Sequence, residues 1–144
     1  MTTIAYRDGV MAADTLLTSG HSNRDGFATK AFLIGSLLVA WAGSCPRGQA
    51  FVDWIRSGAP EGREPSLGDE KGAAILIVMP DDQFITVTHG GWERWRAPYA
   101  ALGMGSDYAL GAMAFGADAE SAVRAALRHE CMSGGDVTVI RRPI

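Results

Sequence analysis

Cysteine, histidine, basic charge and long apolar runs are all scarce in this chain, and each scarcity closes off a class of protein. Only two cysteines, Cys45 and Cys131, occur in 144 residues. They are too few for a disulfide scaffold, so free thiols and a cytoplasmic setting are expected. Histidine is equally thin: His129 and Cys131 stand two apart, but His21, His89 and Cys45 add no supporting spacing. A closed metal site needs about four ligands, so neither a metal nor another cofactor is expected. The longest apolar-leaning stretch, residues 31–43, is interrupted by Gly35 and Ser36 and falls short of the ~20 residues that span a bilayer. The polar Thr2-Thr3 opening lacks the basic start and apolar stretch of a secretory signal, so none is expected. Thirteen Lys and Arg face sixteen Asp and Glu for a net charge of −3, and only Arg141 and Arg142 are adjacent. A binder of phosphate backbones presents a basic face, so nucleic acid is not an expected partner.

What remains is a chain able to build a full core. Hydrophobic residues make up 47% and charged residues 20%, which excludes disorder as the main state. Glycine is in excess, 18 of 144 residues against a usual ~7%. No Gly-X-Y period runs through it, so the excess serves turns and close backbone approaches.

The pattern along the chain alternates hairpins with a few helices. Thr3–Arg7 and Val10–Asp14 flank Asp8-Gly9, a dipeptide suited to a type I′ turn. A polar loop is expected at 21–24, a strand at 27–30 running into Phe32-Leu33-Ile34, and its partner at 37–42. Pro46 suits the first turn of a helix whose apolar face carries Phe51, Trp54 and Ile55, and Gly58 ends it. Residues 59–72 have no period and read as a surface loop. Strands are expected at 73–79 and 83–88 around Pro80-Asp81-Asp82, then at 92–97 and 99–102. Two helices follow, one opened by Gly103-Met104-Gly105-Ser106, the other capped by Asp118 and carrying Arg128 and His129 in its last turn. A final strand covers 137–140. Hairpins with helices in separated groups predict an α+β fold of mainly antiparallel sheets, in one domain over 1–144.

Several residues could carry chemistry. Once Met1 is removed, Thr2 would join a hydroxyl nucleophile and a free α-amine on one residue. Such an amine titrates near ~7.7–8.0, so it can accept the hydroxyl proton at cellular pH. Lys30 closes the expected 27–30 strand; pointing inward beside Thr2 it would lower the pKa of the amine or the hydroxyl, while pointing outward it is a solvated strand end. Asp14 could orient that lysine or serve its turn alone. The Gly43-Ser44 and Gly103–Ser106 junctions place backbone N–H groups where an oxyanion could be held, or are plain turns. They lack the spacing of a phosphate loop. Trp92 and Trp95 suit packing or an oligomer contact better than stacking on bases.

Taken in order, Met1-Thr2-Thr3-Ile4, Ala12-Ala13-Asp14-Thr15, Thr29-Lys30, Trp41-Ala42-Gly43-Ser44, Leu102-Gly103-Met104-Gly105-Ser106 and Ser133-Gly134-Gly135 form a recognisable series. It resembles the N-terminal-threonine hydrolases of the proteasome β-subunit family, above all the HslV-type peptidase and its short phage-like relatives. The likeness runs over nearly the whole chain. It implies a four-layer αββα sandwich, with Thr2 as nucleophile and its own α-amine as base. It further implies that Lys30 tunes the pKa, that Asp14 holds Lys30, and that the N–H groups at Gly43 and Ser44 form the oxyanion hole. Glu130 and Ser133 match the family's acidic residue and serine that support the threonine, with Gly105 and Ser106 as further support. The implied reaction is hydrolysis of peptides or unfolded proteins through an acyl-enzyme ester, in a homo-oligomeric ring, with an unfolding ATPase left open as a partner.

The chain also departs from that pattern. Met104 stands where the family has serine between the glycines, Ser44 where it prefers glycine, and Glu130 where it has aspartate. The 59–72 loop occupies the place of the second helix of the first pair. Two further readings therefore stand beside the peptidase: a non-catalytic ring or scaffold subunit, and a small-molecule amidohydrolase. Persistence of Met1 in the native protein would favour the scaffold, and hydrolysis of short amides alone would favour the amidohydrolase.

Overall fold

The computed structural model describes residues 2–18, 24–130 and 133–143. β1 (Thr3–Arg7) and β2 (Val10–Asp14) pair antiparallel with Arg7 opposite Val10. Asp8 and Gly9 between them take φ of 51° and 81°, the two positive values a type I′ turn requires. β3 (Leu16–Thr18) and β4 (Arg24–Phe27) form a separate ribbon. β5 (Ala31–Ile34) and β6 (Leu37–Gly43) lead into α1 (Cys45–Arg56), with Pro46 in its first turn. An irregular segment precedes β7 (Ala73–Val78), β8 (Phe84–Thr88), β9 (Gly91–Trp95) and β10 (Tyr99–Gly103). α2 (Ser106–Ala114), α3 (Ala119–Leu127) and β11 (Val137–Arg141) complete the described chain.

Two larger sheets face each other, ordered β10-β1-β2-β11 and β5-β6-β7-β8-β9. Among the described residues every strand pairing is antiparallel. Strand periodicity explains the layers. Ile4, Tyr6, Met11 and Ala13 point inward onto Leu38, Ala40, Leu76 and Phe84 of the second sheet. The alternate residues Ala5 and Ala12 point outward, where α2 and α3 cover them with Ala109, Met113, Ala122 and Val123. On the other outer face, Val39, Trp41, Ile75 and Ile77 pack beneath Phe51 and Val52 of α1. The result is helices, sheet, sheet, helix: the αββα order expected, with a single helix in the last layer among the described residues.

Some expectations shift. Residues 28–30 are not strand. β4 pairs in the ribbon with β3 whereas β5 pairs with β6 in the sheet, so the chain crosses between the two here and Lys30 lies on the crossing. The last helix ends at Leu127 with Arg128 as its cap. The N–H groups of His129 and Glu130 both turn back to the Ala126 carbonyl, and the His129 ring stacks on Tyr108. Asp118 caps that helix as expected, accepting from the Ser121 N–H at 2.8 Å. The 92–97 strand runs instead from Gly91 to Trp95, with half-exposed Trp92 set against the rings of Phe51 and Trp54. Met1, His21 and Cys131, with most of the 21–24 loop, lie outside the described residues.

At one end of the sandwich the two sheets are tied by polar groups. The Tyr6 hydroxyl and Arg142 both donate to Asp82 Oδ1, at 2.5 and 2.6 Å, and Arg96 holds the neighbouring Asp81. Tyr6 follows the β1 side of the fold into this clamp, so the opposite end of the same strand is left to carry the site.

Within the α1 layer, one contact is especially close. A Cβ added at Gly48 would lie 2.4 to 2.7 Å from Cγ, Cδ2 and Cβ of Trp41, atoms at the rigid root of a buried ring. Gly48→Ala should therefore destabilise the fold by roughly 1–3 kcal/mol, read as a lower denaturation midpoint with unchanged slope; a midpoint at or above wild type would contradict this packing.

Candidate active site

At the other end of the sandwich the start of β1, the end of β2, the β4–β5 crossing and the turn before β11 converge. Thr2, Thr3, Asp14, Lys30 and Ser133 are all buried there, none more than 3% exposed. Lys30 Nζ donates to Asp14 Oδ1 at 3.0 Å, to the Leu16 carbonyl at 2.7 Å and to Thr2 Oγ1 at 3.2 Å. Asp14 Oδ1 also accepts from the Thr3 N–H at 3.0 Å, and Oδ2 accepts from the Gly134 N–H at 3.0 Å. The carboxylate thus pins the lysine, the strand that follows Thr2, and the turn leading to β11. Burial pushes the Lys30 ammonium below the ordinary lysine value; the charge and hydrogen bond of Asp14 oppose the shift without cancelling it.

Thr2 separates two clefts. One, of about 410 Å³, is floored by Ala42, Ala73 and Ala74, with Met104 on its wall and His89 at its rim. The other, of about 220 Å³, holds Lys30, Leu16 and Cys45. Gly43 borders both. Its φ of 89° and the Gly72 carbonyl, which would lie 2.2 Å from any Cβ, make glycine obligatory there.

The expected residues fall into three groups. Thr2, Asp14 and Lys30 are in direct contact as the sequence suggested. Ser133 joins them one residue along: its hydroxyl bonds Thr3 Oγ1 at 2.9 Å rather than Thr2. The two backbone donors divide. The Ser44 N–H is already given to the Gly72 carbonyl at 3.1 Å, because β6 pairs with β7 in that register, so it is not an available oxyanion donor. Strand alternation turns the Trp41 N–H to the β5 side, onto the Lys30 carbonyl. The Gly43 N–H, two residues on, faces the same way, beyond the point where β5 begins. Glu130 sits half-buried just past α3, its N–H on Ala126 O. Gly105 caps α2, and Ser106 starts it.

Sequence reasoning missed two groups, both on the backbone. The Leu16 carbonyl is a partner of Lys30, and the Gly72 carbonyl occupies the Ser44 N–H. Neither carries a side-chain signal.

The buried pair leads to a pH-dependent expectation. An ammonium whose pKa is lower folded than unfolded binds its proton more weakly in the native state. Stability then rises with pH across the window between the depressed native value and the unfolded ~10.4. Wild type should gain stability relative to Lys30→Met as urea unfolding is repeated at rising pH towards 10; parallel profiles would contradict this. Asp14→Ala, which strands the ammonium, should cost about 3–5 kcal/mol.

No protein-family model and no curated protein matches the chain. Solved structures do. BPH of Thiobacillus denitrificans in complex with epoxomicin superposes with a TM-score of 0.68 at 23% identity, covering 99% of each chain. BPH alone gives 0.66 at 23% identity, covering 99% of this chain and 98% of that one. Identity this low speaks to architecture only. The chain shares the α+β sandwich architecture of those structures.

Proposed function

We propose that the chain is a threonine-type endopeptidase, with Thr2 as nucleophile once Met1 has been removed. The observation that carries the reading is the 3.2 Å hydrogen bond from a buried, carboxylate-held ammonium to Thr2 Oγ1. A lysine so placed stabilises negative charge growing on that oxygen. The α-amine of Thr2 takes the hydroxyl proton as Oγ attacks the substrate carbonyl. Charge developing on the carbonyl oxygen is met by the Gly43 N–H. Collapse breaks the C–N bond, the amine returns its proton to the departing nitrogen, and an ester remains on Thr2. Water, deprotonated by the same amine, then releases the acid.

Around that centre Asp14 holds Lys30, and Ser133 holds Thr3 and through it the backbone of Thr2. Glu130, Gly105 and Ser106 complete the support in the way the family resemblance implies. The substrate is a peptide or unfolded protein, and the structure of BPH with epoxomicin supports trying that ligand on Thr2 here. The whole of 1–144 acts as one domain. We place it in a cytoplasmic homo-oligomeric ring, for which an unfolding ATPase is a candidate partner. Support for assembly comes from α2 and the turn after it, where Tyr108, Leu110 and Phe115 are exposed, Phe115 by 97%. Among the described residues no helix is long and apolar enough to cross a membrane.

One observation favours the non-catalytic reading: Thr2 is only 2% exposed. Activity decides between them. Thr2→Ala should lower hydrolysis of short fluorogenic peptides on the order of 10⁴-fold or more while leaving assembly size unchanged, and the active protein should have the mass of a chain lacking Met1. Turnover unaffected by the substitution, or an active chain that retains Met1, would contradict the proposal.

A further inference from the structure

Met104 is the residue at the site that the peptidase chemistry does not use, and backbone geometry dictates where it goes. On one side of it Gly103, at φ 97°, brings the chain so near that a Cβ would lie 2.0 Å from the Thr2 carbonyl oxygen. On the other, a Cβ at Gly105 would lie 2.0 Å from Thr3 Oγ1 and 3.1 Å from Ala126 Cβ. Side chains are thus excluded at both neighbours, where the segment presses against the start of β1. The side chain of residue 104 turns away from that contact, 55% exposed, onto the wall of the larger cleft beside Thr2.

The rest of that cleft is apolar at its centre and polar around it. Its floor is Ala42, Ala73 and Ala74, short and apolar, and its volume of about 410 Å³ lies within the range of small-ligand sites, ~300–1,000 Å³. Polar groups stand around it: the exposed side chains of Asp69, Glu70, Lys71 and His89, of mixed charge, and the half-buried Thr88. A thioether is a weak acceptor and a flexible, polarizable apolar surface. A hydroxyl side chain at this position would present a donor to the cleft; methionine completes its apolar lining instead.

We propose that Met104 is a specificity-determining residue, and that the cleft it walls is a subsite for an aliphatic side chain next to the scissile bond of a peptide substrate. The inference rests on the peptidase reading and adds the substrate class to it. An aliphatic side chain of leucine size meets alanine methyls and the thioether. A serine side chain there leaves that apolar surface uncovered, so it gains less from the cleft than leucine does. Selection is therefore expected to favour Leu over Ser.

Two measurements test it. In the first, matched fluorogenic peptides carry Leu or Ser on either side of the scissile bond, and the Leu-to-Ser ratio of kcat/KM is compared for wild type, Met104→Leu and Met104→Ser. The ratio should favour Leu in wild type, persist in Met104→Leu, and fall roughly tenfold in Met104→Ser. In the second, Thr2→Ala chains with and without Met104→Ser bind the same uncleaved peptides, followed by fluorescence anisotropy. The Leu peptide should bind the tighter, and the difference should shrink by a similar factor when Met104 is replaced. Selective binding without any hydrolysis by wild type would sink the peptidase reading and leave the subsite standing. Hydrolysis with a ratio that Met104→Ser does not change, on either side of the scissile bond, would overturn the subsite alone. Equal losses in Met104→Leu and Met104→Ser would also overturn it.

Discussion

The buried ion pair between Lys30 and Asp14 is the constraint on which the rest of the site depends. Both groups are withdrawn from water, the lysine to 1% exposure and the aspartate to 0%. Desolvating two charges costs several kcal/mol per ion unless geometry and further hydrogen bonds compensate. Here they do so in part: the carboxylate also accepts from two backbone N–H groups, and the ammonium also donates to a carbonyl and to Thr2 Oγ1. An apolar pair of similar volume could fill the same space. It could not hold a positive charge 3.2 Å from a threonine hydroxyl, which is what the proposed chemistry requires of it.

The pair also explains why distant segments meet where they do. Asp14 ends β2, Lys30 lies between the ribbon and the second sheet, and Gly134 precedes β11. One carboxylate touches all three. Leu16 joins through its carbonyl, while the N–H groups of Thr15 and Leu16 both reach the Gly134 carbonyl. The polar clamp of Tyr6, Asp82 and Arg142 closes the opposite end of the sandwich, so the sheets are tied at one end by structure and at the other by the site. Close backbone approach does the remaining positioning. Gly72 crowds Gly43 and occupies the Ser44 N–H, and the Gly103 turn sets Met104 on the cleft wall.

Much of this was legible in the sequence because it rests on local chemistry. Asp8-Gly9 names its own turn, Asp118 names its own helix cap, and the alternation of Ile4, Ala5 and Tyr6 marks one face for each layer. The contact of Thr2, Asp14 and Lys30 was legible only through the order of motifs, since each residue alone had an ordinary explanation. What escaped depends on pairing between remote segments. The β3–β4 ribbon is too short to show a period, and its removal of β4 from the main sheet is what takes Lys30 off a strand. The loss of the Ser44 N–H follows from a β6–β7 register that no side chain announces. The bond of Ser133 to Thr3, one residue from the position expected, reflects the same difficulty: sequence order brings the turn to the right strand but does not fix the atom it meets.

The central claim is that Thr2, freed at its amine and backed by Lys30, is a nucleophile. Its most direct test is covalent capture: the protein is incubated with a peptide bearing an electrophilic carbonyl-based warhead, and its N-terminal proteolytic fragment is sequenced by mass spectrometry. The expected result is a single adduct on a fragment that begins with Thr2. An adduct on a fragment that still begins with Met1, an adduct confined to Cys45, or no adduct at all would contradict the account.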